Sequence, residues 1–137
     1  MIRFLKYALL RGEQMFGSFQ RNRERSTYRL LVLCYHSVVS DGSPVNSRTN
    51  IAVSASEFEK QIALIRNHWN PVSLAEVKSA CFSATKSPLV EYSVLVTFDD
   101  GFRNNLTLAA PILKKYAVPA VVFLTTGLIE GSELLWP

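Results

Sequence analysis

Two adjacent carboxylates, Asp99 and Asp100, close the apolar run Ser93-Val94-Leu95-Val96-Thr97-Phe98, and Gly101 follows them. A run rich in Val, Leu and Phe is the pattern of a strand buried on both faces, as in a parallel sheet with helices packed over it. Ending such a strand on two acids is costly unless the charges meet a cation or do chemistry. Successive side chains of a strand point to opposite sides, so the two carboxylates take different jobs. One can hold a metal while the other faces a substrate. Gly101 supplies the freedom in φ that a sharp exit needs. Asp-Asp-Gly alone is also an ordinary polar turn, so its surroundings decide the reading.

Those surroundings point one way. Thr97-Phe98-Asp99-Asp100-Gly101 resembles the first motif of the polysaccharide deacetylases, carbohydrate esterase family 4, which carry the NodB homology domain. Upstream, Leu31-Val32-Leu33-Cys34-Tyr35-His36-Ser37-Val38 is similar to the family's first strand, which ends in a Tyr-His pair. Downstream, Phe102-Arg103-Asn104-Asn105 leads into Ala110-Pro111-Ile112-Leu113-Lys114-Lys115-Tyr116. Val118-Pro119-Ala120-Val121-Val122-Phe123-Leu124-Thr125 then resembles the family's next strand. The match runs in order over about residues 29–137.

The resemblance implies a metal-dependent hydrolase that removes N-acetyl groups from a saccharide. A divalent metal, commonly zinc, would polarise the acetyl carbonyl and lower the pKa of a bound water. Asp99 would be the catalytic base and Asp100 a metal ligand, whose hard oxygen suits zinc and similar ions. His36 and Tyr35, at the carboxyl end of the first strand, would share a rim with the Asp pair and contact the substrate or the groups behind the metal. A plain strand-end histidine is the other reading of His36. Arg103 would orient Asp99, although the family's orienting arginine comes from a later segment. His68, beside Trp69 on a helix, reads as a surface residue.

One departure from the family matters more than any substitution. The remaining metal ligands of these enzymes are two histidines in a His-(Ser/Thr)-x-x-x-His motif, and a further histidine acts as general acid. This chain has only His36 and His68. It therefore reads as the N-terminal part of a deacetylase domain, and the 137 residues alone are expected to be inactive. A single carboxylate would hold zinc no tighter than about millimolar, because it cannot offset the ion's loss of water ligands. The alternative is a catalytically inactive remnant or carbohydrate-binding module. A phosphohydrolase built on the Asp pair is disfavoured, since no phosphate-cradling Gly-rich loop or Lys lies nearby.

The elements that must position these residues are of α/β type. Strands are expected over about residues 29–36, 93–98 and 120–125, with a weaker extended piece near 50–53. Ser54-Ala55-Ser56-Glu57 is a capping-box pattern, followed by Phe58, Ile62, Ile65 and Trp69 at helical spacing. Ser73-Leu74-Ala75-Glu76 repeats it, with Leu74, Val77 and Cys81 expected inward. A third helix runs through residues 112–116, with Pro111 in its first turn. Strand, two helices, strand, helix, strand is the α/β order. A (β/α) barrel normally needs about 250 residues, so the expectation is a partial barrel of the glycoside hydrolase and deacetylase type.

Residues 1–28 stand apart as a basic amphipathic segment, expected to be helical. Through Arg29 there are seven Lys and Arg against Glu13 and Glu24, so this stretch carries +5 and the rest −1 of the net +4. Ile2, Leu5, Leu9, Phe16 and Phe19 recur within it at roughly helical spacing. Such a helix suits peripheral contact with an anionic membrane through residues 1–25, or packing on its own domain. Nucleic acid is not expected as a partner, because no binding motif accompanies the charge. Tyr7-Ala8-Leu9-Leu10 is too short for the apolar core of a signal peptide, and no run approaches a membrane span. Cys34 and Cys81 read as small buried hydrophobes rather than a disulfide. These features favour a cytoplasmic location, with the inner membrane face as an option.

Overall fold

A computed structural model of the chain describes residues 3–4, 30–44, 51–82 and 88–129. Its centre is strand β6, Ser93–Phe98, in which all six residues are buried. β6 pairs in parallel with β2, Leu30–Tyr35, over its whole length, with Leu30 opposite Ser93 and Tyr35 opposite Phe98. The other flank of β6 is shared. Its start pairs with β5, Asn70–Pro71, and its end with β7, Ala120–Val122. β1, Arg3–Phe4, lies parallel to β2 on the outside. The expected strand at residues 120–125 is thus confined to Ala120–Val122.

The alternation of side chains divides this sheet into two apolar faces. Leu33, Tyr35, Val94, Val96 and Phe98 belong to the larger core, where they meet Phe58, Ile62 and Ile65. Leu30, Val32 and Leu95 form a smaller cluster on the other face with Val72, Val77, Leu89 and Val121. A strand that is apolar throughout is therefore explained by two covered faces, as in parallel sheets.

Helix α1, Ala55–His68, covers the larger face. Ser54 caps it, its Oγ accepting from the Glu57 N–H at 3.4 Å. Phe58, Gln61, Ile62 and Ile65 turn inward at helical spacing, and Trp69 is half-buried behind them. Helix α2, Leu74–Phe82, opens on a reciprocal cap in which Ser73 and Glu76 exchange hydrogen bonds of 2.7–3.3 Å. Its expected inward face is corrected by the structure. Only Val77 reaches the core, while Leu74 and Cys81 are exposed, because α2 buries none of its residues fully. Cys81 is accordingly a surface thiol, and Cys34 is only half-buried.

Two expected elements are present with features the sequence did not show. The extended piece near residues 50–53 is β4, Ala52–Ser54, and it pairs with β3, Ser37–Val39, in a separate two-stranded parallel sheet. The third helix, α3 (Ala110–Lys115), is entered through a π-helical turn at Asn105–Ala109. Pro111 has no N–H for the ordinary i to i−4 bond, and just before it the Ala110 N–H reaches back to the Asn105 carbonyl. The helix expected over residues 1–28 lies outside the described residues apart from Arg3–Phe4, which are a strand instead.

Candidate active site

β6 ends at Phe98, so Asp99 and Asp100 leave the carboxyl end of the central strand, and β2 brings His36 to the same rim. The Asp99 N–H donates to the Tyr35 carbonyl at 2.8 Å, carrying the parallel ladder one step past the last strand pair. The rings that precede these residues fix their direction. Tyr35, Phe58 and Phe98 pack together with centroids 5.1–5.8 Å apart. With Tyr35 and Phe98 turned into the larger core, alternation sends Cys34, His36 and Asp99 toward the other side. There His36 Nε2 lies 3.9 Å from Asp99 Oδ2, and the Cys34 thiol donates to that same oxygen at 3.1 Å.

Asp100 occupies a different environment from its neighbour. Its φ of 69° and the 73° of Gly101 place two successive residues in the left-handed region, which Asp tolerates better than most residues and Gly without cost. A Cβ at Gly101 would also stand 2.5 Å from Leu124 Cδ2, the end of an exposed side chain that would have to turn aside. This turn buries Asp100 Oδ2, which has no hydrogen-bond partner, whereas the Asp99 side chain is 41% exposed. A buried carboxylate oxygen without a donor is costly. It is what a metal-ligating carboxylate looks like without its ion, so Asp100 fits a divalent cation.

The other expected site residues divide. His36 stands beside Asp99, with its side chain 13% exposed. Tyr35 does not reach the rim. Its ring is buried in the core and its hydroxyl donates to Gln61 Oε1 at 2.8 Å, because it alternates with His36 along the strand. Burial, with a smaller contribution from the Glu57 charge, pushes its phenol far above the ordinary value. Arg103, beyond the left-handed turn at Asp100–Gly101, is exposed and makes no ion pair with Asp99.

Sequence reasoning missed three contributors. Cys34 was read as a hydrophobe, yet it touches Asp99. Asn104 Nδ2 donates to Ser37 Oγ at 2.7 Å, and Asn105 Nδ2 to the His36 carbonyl at 2.9 Å. The two asparagines thereby tie the loop after the Asp pair to the end of β2. Polar residues just after Asp-Asp-Gly were the available signal, but their partners lie 67 and 69 positions back.

Comparison with known proteins agrees with this arrangement. The family model described as polysaccharide deacetylase matches residues 86–135. The poly-beta-1,6-N-acetyl-D-glucosamine N-deacetylase of Staphylococcus aureus is 36% identical over 84 residues, 61% of this chain and 28% of that protein. Among solved structures, a de-N-acetylase from Aggregatibacter actinomycetemcomitans superposes with a TM-score of 0.62 at 31% identity, covering 80% of this chain and 43% of that one. IcaB from Ammonifex degensii gives 0.60 at 33%, over 72% of this chain and 39% of that one. The deacetylase PplD of Streptococcus pyogenes, solved with acetate, gives 0.63 at 28%, over 80% and 49%. The chain spans about a third of the length of the curated relatives it matches. Family model, curated relatives and solved structures converge: all indicate the polysaccharide deacetylase family, of the NodB type, over a partial region of the chain.

Proposed function

We propose that these residues form the Asp-pair side of an active site that hydrolyses N-acetyl groups on a carbohydrate, within a (β/α) barrel of which this chain is one part. The observation that carries the reading is the division of the Asp pair, one carboxylate 41% exposed and the other with an oxygen buried without a donor, at the carboxyl end of a central parallel strand. Barrel enzymes build their sites at that end.

Asp99 faces the open side and takes a proton from the attacking water. Its backbone N–H, held by the Tyr35 carbonyl, and the packed rings behind it limit its movement. Asp100 would hold a divalent cation, which we take to be zinc, through its buried oxygen. The bound ion supplies Lewis-acid polarisation of the acetyl carbonyl and a more acidic water. Asn105 fixes the His36 backbone, and His36 flanks Asp99 from the β2 side. Water attack on the amide carbon releases acetate and leaves a free amino group on the sugar. The S. aureus relative's name supports a polymer of N-acetylglucosamine as the substrate class. Membrane contact through residues 1–25, carried by the charge of that segment, and a cytoplasmic location remain parts of the proposal.

The test is acetate release from N-acetylglucosamine oligomers with Zn2+ present. The 137 residues hold one of the family's metal ligands, Asp100, so alone they are expected to release none. Fusing a segment that bears a His-(Ser/Thr)-x-x-x-His motif should restore activity. In the fusion, Asp99→Asn should lower turnover by about two to four orders of magnitude, the range for loss of a general base, while metal binding persists. Asp100→Asn should weaken metal binding. Full turnover by Asp99→Asn would overturn the assignment.

A further inference from the structure

Asp99 Oδ2 and the two ligand atoms beside it are of different chemical kinds and do not include the oxygen assigned above to a metal. Ligand atoms of Cys34, His36 and Asp99 all lie within 4.8 Å of one another. Sγ to Oδ2 is 3.1 Å and Nε2 to Oδ2 is 3.9 Å. Bond lengths of 2.0–2.3 Å to a tetrahedral ion put neighbouring donors about 3.3 to 3.8 Å apart, so small rotations of these side chains suffice. Their positions are not accidental. Cys34 and His36 are two apart on β2 and so share a side, and Asp99 lies one step past the Tyr35–Phe98 pair on β6.

We propose that Cys34, His36 and Asp99 form a second metal site, selective for strongly thiophilic divalent cations such as Cd2+. One thiolate, one carboxylate and one neutral imidazole neutralise a dication and supply the soft ligand that such ions prefer. On binding, the thiol proton that now meets Asp99 leaves to solvent as the metal–sulfur bond forms. Three protein ligands leave one position for water, on the side where Asp99 is exposed. The weak binding expected of a lone carboxylate does not extend to such ions: with these donors counted, the chain should hold Cd2+ far more tightly than that. Occupation ties up Asp99, so such ions should inhibit the base while Asp100 remains available.

The probe is Cd2+, followed through the ultraviolet thiolate-to-cadmium charge-transfer band of the full 137-residue chain. Cys81 is exposed, so the work starts from Cys81→Ser, which should keep the band. Adding Cys34→Ser should abolish it, His36→Gln should weaken binding, and Asp100→Asn should leave it intact. Circular dichroism shows whether each variant is folded. If Cys34→Ser destabilises the chain, Cys34→Ala and stoichiometric loss of Cys34 alkylation on Cd2+ addition provide the same decision. Absence of the band, or a band that survives Cys34→Ser, overturns the proposal. A second arm, Cd2+ inhibition of the active fusion that is relieved by Cys34→Ser, rests on the deacetylase reading. The spectroscopic arm does not, so the two can fail separately.

Discussion

At the residue scale, each site group is directed by a neighbour that faces the other way. Phe98 and Tyr35 are buried to 1% exposure, and the residues after them, Asp99 and His36, are thereby sent to the rim. Tyr35 also links the strand to α1 through its hydrogen bond to Gln61, itself buried. Tyr35→Phe keeps the ring and removes the donor, which should cost about 1 to 3 kcal/mol, read as a lower urea midpoint with an unchanged slope. The pH dependence has a definite sign. Burial raises the folded-state pKa of the phenol, so the unfolded chain loses that proton first. Stability is full below the ordinary tyrosine value of about 10 and declines as pH rises above it. Tyr35→Phe should flatten that alkaline decline, and an equally steep profile would refute the account. Asp99 and Asp100 were legible in the sequence because acids rarely end a fully apolar strand. Cys34 was not, since its partner is 65 positions away and the contact exists only in the parallel register of β2 and β6.

At the scale of elements, caps explain why two helices begin where the sequence says they do. Ser54 and Ser73 each accept from the N–H three residues on. α2 completes the reciprocal box, with Glu76 accepting from both the N–H and the hydroxyl of Ser73. Those hydrogen bonds, the hydroxyl first, hold the Glu76 carboxyl below its usual range. A depressed carboxylate pKa adds stability above the ordinary glutamate value, lost as pH falls through the folded value. Ser73→Ala should return Glu76 toward the ordinary value in a carboxyl NMR titration. Ser54→Ala should cost about 1 kcal/mol and destabilise the whole fold, because α1 covers the main core. If Ser54→Ala leaves the melting temperature unchanged, its cap contributes nothing. The inward face of α2 was misread for a physical reason. Spacing predicts which side chains share a face, but Leu74 and Cys81 stay exposed because little packs over α2. The π turn before α3 depends on how Pro111 meets the residues before it, and helical periodicity carries no sign of that.

At the scale of the molecule, the sheet is covered unevenly. α1 seals the larger face, whereas the β7 end leaves apolar side chains in water: Val122 is 45% exposed, Phe123 52%, Leu124 59% and Ile129 56%. Isolated exposed apolar residues are ordinary, but a contiguous set beside a strand edge is a surface that seeks a partner. Among the described residues β7 pairs with β6 alone, and an unpaired strand edge is a template for another chain. Backbone order at this strand is set by the Phe123 N–H bonding to the Phe98 carbonyl at 2.8 Å, so changes to the outward side chains need not disturb the site. The 137-residue chain is therefore expected to self-associate as its concentration rises, seen as an increasing weight-average sedimentation coefficient. Val122→Lys together with Phe123→Lys should suppress that increase, because charges on an edge oppose strand addition. Leu124 is left unchanged in this design, since its Cδ2 lies close to Gly101, which follows the Asp pair. Association that persists in the double variant would place the contact elsewhere, and a sedimentation coefficient independent of concentration in the unchanged chain would remove the edge as a driving surface.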